Sequence, residues 1–408
     1  MIENTQDKTT AVLVGLVNYV DSRESLEELK LLAKTAGVQT AGSAVQRKLR
    51  IDPGYYIGRG KAREIRTMVD ELGANAVIFD DELSPIQQRN LESLIGVQVI
   101  DRTILILDIF AGRARSMEGK LQVELAQLQY MLPRLTGKGI ELSREGGGIG
   151  TRGPGETKLE TDRRRIRRRI THLKRQLESV KKNRNLIRGA RKYPVVCLVG
   201  YTNSGKSTLL NSLVGSKISS ADRLFETLDT TTRGLNLPDG RTVLVSDTVG
   251  FIRKLPHQLI DAFKATLDEV RQADLLIHVV DGSDEDMPDE IEVVNGVLKE
   301  IGAYDKPMIM AVNKSDKVGG IPLKSENTVH ISALHGTNTN RLVEMISAAL
   351  PPSRRAARMI IPYAKAELLD ELHSHGIISK EDYKEDGVTI EGEFDISFLG
   401  KLKKNKII

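Results

Sequence analysis

Short apolar runs alternate with longer amphipathic stretches in the first hundred residues of the 408-residue chain. Continuous apolar runs predict buried strands at 11–17, 76–79 and 97–100. Apolar positions at helical spacing predict amphipathic helices over 25–36, 61–72 and 84–95. This pattern predicts a small N-terminal α/β domain over residues 1–101.

Apolar residues then recur at steps of three and four in two long helical stretches. The first seam consists of Leu121, Leu125, Leu128, Leu132 and Leu135, and the second of Leu159, Ile166, Ile170, Leu173, Leu177 and Val180. Two such seams predict an antiparallel helical hairpin, zipped like a coiled coil, over residues 102–192. The connector at 137–157 contains eight glycines and predicts a Gly-rich loop at the tip, which also carries Arg144 and Arg152.

The second half of the chain returns to alternating strands and helices. This alternation predicts a doubly wound α/β domain over residues 193–352, ending at Pro351 and Pro352. Residues 353–408 predict a small C-terminal α/β module with a helix at 363–373 and a strand at 387–396. The role of this module cannot be read from the sequence.

The composition narrows the class of protein. No apolar run is long enough to span a bilayer and no signal peptide is recognisable, so we expect a cytoplasmic protein, and we treat it as a monomer. The single cysteine, Cys197, rules out a disulfide within the chain. Its place in an apolar strand predicts a buried side chain.

Positive charge is concentrated in the second helix of the predicted hairpin. Residues 163–192 contain 14 Lys or Arg and one acid, Glu178, although the net charge of the whole chain is only +5. So few acids cannot pair this many cations, and no large apolar face lies opposite them beyond the hairpin seam, which favours nucleic acid over membrane. Aromatic residues are scarce in this helix, so we expect contacts with backbone phosphates rather than stacking on bases.

A phosphate-binding loop lies between the apolar run 195–199 and a helical pattern. Its residues are Gly200, Tyr201, Thr202, Asn203, Ser204, Gly205, Lys206, Ser207 and Thr208. In a strand–loop–helix context, such a loop directs backbone N–H groups and a helix N-terminus at phosphates. Lys206 would add a positive charge, and Ser207 would be a Mg²⁺ ligand.

Two further segments are expected on the phosphate side. The first contains Phe225, Glu226, Thr227, Leu228 and Asp229, and should supply a threonine to Mg²⁺ and the γ-phosphate. We favour Thr227 for this role, with Thr231 second. The second contains Asp247, Thr248, Val249 and Gly250 at the end of a predicted strand. Asp247 would hold the Mg²⁺ water shell, and the Gly250 N–H would reach the γ-phosphate.

The base side is predicted by two more segments at strand ends. The first contains Asn313, Lys314, Ser315 and Asp316, and the second Ser332, Ala333 and Leu334. Asp316 would accept hydrogen bonds from N1 and N2 of guanine. Adenine has no such donor pair, so the sequence predicts GTP as the substrate.

These motifs resemble those of the TrmE–Era–Obg–YihA–YawG–HflX group of GTPases, and within it the HflX family. The resemblance rests on residues 200–207, 225–229 and 247–253, and on the Gly-rich stretch 146–160 upstream of the P-loop domain. It covers about residues 11–350. It implies binding to the large (50S) ribosomal subunit, a hairpin that reaches ribosomal RNA, and splitting or rescue of stalled ribosomes.

Hydrolysis is predicted to depend on Lys206, Thr227 and Gly250 and to be slow without ribosomes. Phe251 stands where many small GTPases have a glutamine that orients the attacking water. Asn203 corresponds to a K⁺ ligand in potassium-dependent members of the group, or it simply hydrogen-bonds the loop.

Two other functions are compatible with the sequence. One is a GTP-regulated assembly or RNA-binding factor without splitting activity. The other is a nucleotide-independent RNA scaffold, which the intact Lys206 disfavours.

Overall fold

The computed structural model describes most of the chain. The described residues are 9–17, 23–47, 50–135, 154–188, 193–215, 225, 231–254, 256, 264–318, 326–351, 354–365, 367–395, 398, 399 and 402. They form two compact units: residues 1–235 with 242–345, and residues 236–241 with 346–408. Within the described ranges, no helix is both long and apolar enough to cross a membrane.

The first unit begins with a four-stranded parallel sheet in the order β2-β1-β3-β4. Its strands are β1 (Thr10–Val17), β2 (Gln39–Arg47), β3 (Ala76–Phe79) and β4 (Gln98–Asp101), and its helices are α1 (Arg23–Thr35), α2 (Arg59–Leu72) and α3 (Pro85–Ile95). The three predicted strands and three predicted helices are confirmed. Strand β2 was not predicted, because this edge strand mixes exposed and half-buried positions and carries no apolar run.

Local sequence signals explain where the next helices begin. Ser84 and Gln87 form a reciprocal capping box at α3. Asp101 caps α4 (Arg102–Arg113) by accepting the Ile104 N–H. One face of α4 is buried against the sheet, in the same core as Leu13 and Ile78.

The predicted hairpin seam is confirmed where helix α5 (Met117–Arg134) packs against helix α6 (Pro154–Arg188). Leu121, Leu125 and Leu173 are buried together, flanked by Leu128, Ile170 and Leu177. The side chain of Leu159 lies outside the described part. The predicted tip loop at 137–157 is wrong at its end, because 154–157 are already helical. Proline is favourable in the first turn, where its missing N–H costs nothing. Residues 136–153 lie outside the described ranges.

The rest of the first unit is built on a six-stranded sheet in the order β10-β9-β8-β5-β7-β6. Its strands are β5 (Val195–Val199), β6 (Thr231–Asn236), β7 (Thr242–Asp247), β8 (Leu275–Asp281), β9 (Met308–Asn313) and β10 (Thr328–His330). The helices are α7 (Lys206–Val214), α8 (Lys264–Gln272), α9 (Met287–Glu300) and α10 (Thr339–Ala349). Parallel pairing of β5 with β7 and β8, and of β9 with β8 and β10, confirms the predicted doubly wound fold. Cys197 is buried, as expected.

The second unit contains a three-stranded antiparallel sheet in the order β11-β13-β12. Its elements are β11 (Arg354–Ile361), α11 (Glu367–His375), β12 (Gly376–Lys384) and β13 (Gly387–Asp395). The predicted strand at 387–396 is confirmed as β13. The predicted helix at 363–373 is displaced, because a 3₁₀ turn at Tyr363–Lys365 precedes α11. Strand β12 was missed because polar residues dominate it, and β11 was missed because three arginines break up its apolar residues.

Candidate nucleotide site

The phosphate loop is built by a buried strand that feeds directly into a helix. All five residues of β5 are buried, and α7 begins at Lys206. Gly205 adopts a positive φ of 94°, and a Cβ at this position would lie 2.2 Å from the side-chain nitrogen of Asn313. A Cβ on Gly200 would lie 2.2 Å from the carbonyl oxygen of Val279. Only glycine fits at these two positions, so the loop can lie directly against neighbouring strands.

Lys206 is held inside this loop. Its Nζ donates to the carbonyl oxygens of Gly200 at 3.1 Å and Tyr201 at 2.7 Å. Burial lowers the pKa of Lys206 to about 8. Lys206 is thus the buried cation of the loop, at the position from which the P-loop lysine contacts β- and γ-phosphates.

Two predicted Mg²⁺-site residues lie in direct contact. The Ser207 hydroxyl donates to Asp247 Oδ2 at 2.7 Å. Asp247 is buried at the end of β7, and the next residue, Thr248, is fixed by a hydrogen bond to the Leu198 carbonyl. Hydroxyl and carboxylate oxygens at a P-loop are the donors that hold Mg²⁺ in P-loop NTPases. The residues present therefore fit this ion.

The segment 225–233 is described only in part. Phe225 is buried and makes an edge-on contact with Phe110 of α4, with ring centroids 4.7 Å apart. Glu226, Thr227, Leu228 and Asp229 lie outside the described residues, and Thr231 begins β6. The choice between Thr227 and Thr231 as Mg²⁺ ligand therefore stays a prediction.

Gly250 and Phe251 lie directly against the phosphate loop. The Phe251 N–H donates to the Gly200 carbonyl at 3.1 Å, and the Thr202 N–H donates to the Phe251 carbonyl at 2.8 Å. A Cβ on Gly250 would lie 2.9 Å from Thr202 Cα and 3.1 Å from Lys206 Nζ. The Phe251 ring is buried in the core, away from solvent. Position 251 thus provides close backbone contact but no side chain that orients water.

The base side is assembled by hydrogen bonds between three loops. Asn313 donates to the Ser204 carbonyl at 2.9 Å and accepts the Ala333 N–H at 2.9 Å. Asp316 Oδ1 accepts the Ser332 hydroxyl at 2.5 Å, and this hydrogen bond lowers the pKa of Asp316. The predicted residues from 313–316 and 332–334 therefore lie together beside the phosphate loop. Leu334 is exposed at the rim.

Comparison with known proteins agrees with this site. Three family models match: "GTP-binding GTPase N-terminal" at 23–111, "GTP-binding GTPase Middle Region" at 113–191 and "50S ribosome-binding GTPase" at 195–314. GTPase HflX of Caldanaerobacter subterraneus is 48% identical over 99% of this chain and 95% of its own length. GTPase HflX of Escherichia coli is 44% identical over 92% of this chain and 91% of its own. The chain belongs to the HflX family of GTPases.

A solved structure also resembles this HflX-family chain. A GTP-binding protein from Sulfolobus solfataricus, in complex with GDP, is 28% identical with a TM-score of 0.45. The match covers 84% of this chain and 98% of that one.

Several polar residues beside the site of this HflX-family GTPase were not predicted. Asp281, at the end of β8, accepts the Lys314 ammonium at 2.5 Å and the Ser283 hydroxyl at 2.6 Å. The position of Asp281 at the end of an apolar strand is a sequence signal that could have identified it as a site residue. Burial raises the pKa of Glu290 to about 8 and lowers that of His278 to about 4. Neither residue belongs to a recognisable motif, so no sequence pattern pointed to them.

Asn203 adopts a positive φ of 62° at the exposed outer turn of the phosphate loop. Asparagine tolerates this conformation better than most residues, so the backbone alone is a sufficient reason for asparagine at position 203. Its side chain forms no hydrogen bond with any residue that the structure describes. The loop-bonding role considered above therefore has no counterpart in this structure, and a K⁺ role stays a prediction.

Proposed function

We propose that this GTPase binds the large (50S) ribosomal subunit in the cytoplasm and uses GTP to split or rescue stalled ribosomes, through a hairpin that contacts ribosomal RNA. The observation that carries the proposal is the pairing of a GTPase site with a basic helical arm in one compact unit. The family model described as a 50S ribosome-binding GTPase, matched at 195–314, supports the choice of partner.

The arm has the dimensions and charge for such a contact. Helix α6 has 35 residues, which at about 1.5 Å per residue gives a length of roughly 50 Å. Its apolar residues face α5 at the seam, and Arg169 pairs with Glu124 of α5, which leaves the neighbouring arginines to solvent. Arg165, Arg167 and Arg168 are exposed and form no ion pair with any described residue. Exposed cations without an ion-pair partner in the described part of the chain are suited to phosphate groups of RNA.

Magnesium would be held by Ser207 and Asp247, with Thr227 as the expected additional ligand. Bound there, magnesium would supply positive charge that offsets the negative charge developing on the phosphates during hydrolysis. Lys206 would hold the same phosphates from inside the loop, and the Gly250 N–H would contact the γ-phosphate. A K⁺ ion near Asn203 would add a further positive charge at this site. Such help is expected because Phe251 has no group that orients the attacking water.

The proposed function is tested with purified ribosomes in a sucrose gradient. Adding the protein with GTP should convert whole ribosomes into free subunits, and GDP should not. A Lys206→Ala variant, which lacks the phosphate-loop cation, should leave the ribosomes whole. If the protein sediments with 50S subunits while whole ribosomes stay intact, it is an assembly or RNA-binding factor and the splitting role is wrong.

Steady-state GTP hydrolysis is expected to be slow, to rise with added 50S subunits, and to be faster in KCl than in NaCl. A positive charge at this site is worth about 10³–10⁵ in rate when an arginine supplies it, so a difference of about tenfold between the salts is a modest expectation. Asn203→Gly should abolish the difference, since glycine keeps the positive φ but removes the side-chain oxygen. Equal rates of the parent protein in both salts would exclude the K⁺ role.

A further inference from the structure

The segment that follows Gly250 contacts the N-terminal sheet as well as the phosphate loop. Lys254 Nζ lies 2.5 Å from Asp80 Oδ2 and 2.7 Å from Asp81 Oδ1. Asp80 directly follows β3, at the carboxyl edge of the parallel sheet. In open α/β sheets, ligands bind at this edge, where neighbouring strands lead off in different directions. Here the Lys254 ammonium of the same chain lies against that edge.

A second contact joins the same segment to the N-terminal part through the phosphate loop. The Tyr201 hydroxyl donates to Glu28 Oε1 of α1 at 2.5 Å and accepts the Arg253 N–H at 2.9 Å. Burial and the Glu28 carboxylate raise the pKa of Tyr201, so the phenol keeps its proton and remains a donor. One side chain therefore links the phosphate loop, the segment after Gly250 and helix α1.

The acids that receive these contacts are themselves held in place. The buried Arg102 guanidinium donates to Asp80 at 2.6 Å and to Glu28 at 2.7 Å. The Ser25 hydroxyl donates to Asp80 at 2.5 Å, and the Tyr56 hydroxyl donates to Asp81. These hydrogen bonds hold the carboxylates in place independently of Lys254. The Lys254 ammonium therefore meets carboxylates that are already held rigidly. Exposed surface ion pairs lack such rigid partners.

The backbone of Lys254 is also constrained. Its φ is 54°, in the left-handed region that non-glycine residues adopt rarely. Such a conformation persists where the surroundings impose it. Burial alone would lower the pKa of Lys254, but Asp80 and Asp81 outweigh burial and raise it, so the ammonium stays charged.

We propose that Lys254 and Tyr201 are positioning residues that set the preference of the GTPase site for GDP over GTP, because they hold residues 250–254 between the phosphate loop and the N-terminal sheet. The proposal rests on the GTPase activity of the family and not on ribosome binding. Gly250 lies against the Lys206 ammonium in this arrangement. A γ-phosphate must contact both groups, so it has to move Gly250 away from Lys206. The clamp formed by Lys254 and Tyr201 opposes this movement and disfavours GTP relative to GDP.

Thermodynamic linkage means that the clamp should change the ratio of the affinities for a GTP analogue and for GDP. Releasing the clamp should raise the affinity for a non-hydrolysable GTP analogue relative to GDP, because only the analogue has to displace Gly250. Lys254→Met should increase this affinity ratio about fivefold or more, which is the low end of typical coupling between sites. Asp81→Asn should change the ratio in the same direction but by less, because Lys254 keeps its contact with Asp80. Asp81 is chosen over Asp80 because Asp80 also binds the buried Arg102.

The experiment uses the full chain, with fluorescent GDP and GTP-analogue titrations and with hydrogen exchange across residues 247–254. In the double variant Lys254→Met with Asp81→Asn, the two effects should overlap rather than add, because Lys254→Met already removes the contact with Asp81. Lys254→Arg should retain the parent ratio. Lys34→Met, an exposed lysine of α1, is the matched control and should change nothing.

Hydrogen exchange separates positioning from general destabilisation. Lys254→Met should speed exchange at 247–254 while strands β1 and β3 stay protected. Tyr201→Phe keeps the ring but removes the acceptor for the Arg253 N–H, so this amide should exchange faster. An unchanged affinity ratio in both Lys254→Met and Asp81→Asn overturns the proposal. So does full additivity of the two, or loss of protection throughout the N-terminal sheet.

Discussion

Asp316→Asn is expected to lower GTP affinity by about 10²-fold or more and to raise affinity for xanthosine triphosphate. An ionised carboxylate accepts from both N1–H and the 2-amino group of guanine, and each charged hydrogen bond contributes about 1.5–3 kcal/mol. An asparagine at position 316 would place its side-chain NH₂, a donor, against an N–H donor of guanine. Xanthine has a carbonyl oxygen at position 2, which an asparagine amide can satisfy. Sites built on such hydrogen bonds discriminate strongly between analogues.

The geometry around Asp316 makes this prediction specific. The Ser332 hydroxyl donates to Oδ1 at 2.5 Å and keeps the carboxylate ionised, in line with its lowered pKa. Equilibrium titration of the two triphosphates against parent and variant measures the change. Asp305→Asn, an exposed acid in the same part of the chain, serves as the control and should bind GTP as the parent does. If Asp316→Asn retained the parent preference for GTP, the guanine site would not be at residues 313–316.

The local parts of this site could be predicted because the sequence encodes them in short segments. Residues 195–214 give a strand, a glycine loop and a helix, and the structure has them in that order. The parallel sheet then explains why 247–250, 313–316 and 332–334 converge, since carboxyl ends of parallel strands share one edge. The hairpin seam was predictable for the same reason, because its spacing is a local property of each helix.

The contacts between distant segments could not be predicted in this way. Tyr201 and Glu28 are 173 residues apart, and Lys254 and Asp80 are 174 apart. No local pattern links such pairs, and each residue alone looks like an ordinary surface or loop residue. The edge strand β2 was missed for a related reason, since its mixture of exposed and half-buried positions gives no clear period. The start of α6 at Pro154 was missed because glycines on both sides of this proline suggested a loop.

Replacing Arg165, Arg167 and Arg168 with glutamine is expected to weaken binding to 50S subunits by about 10²-fold or more at low salt. Each phosphate contact contributes roughly 0.7–0.9 to the slope of log K against log salt, so the slope should flatten by about 2. Glutamine keeps helix propensity, so α6 itself should persist. Binding is measured by cosedimentation across a series of salt concentrations.

The control triple Lys30→Gln, Lys34→Gln and Arg63→Gln removes the same charge from exposed positions on α1 and α2. It should leave the slope unchanged, because these helices lie apart from the basic face of α6. Intrinsic affinity for GTP should be unchanged in both triples, since neither touches the nucleotide site. If both triples weakened binding equally, the effect would come from net charge, and α6 would have no specific role in RNA contact. A slope that stayed steep only in the control would instead mean that the three α6 arginines each release a counterion from ribosomal RNA.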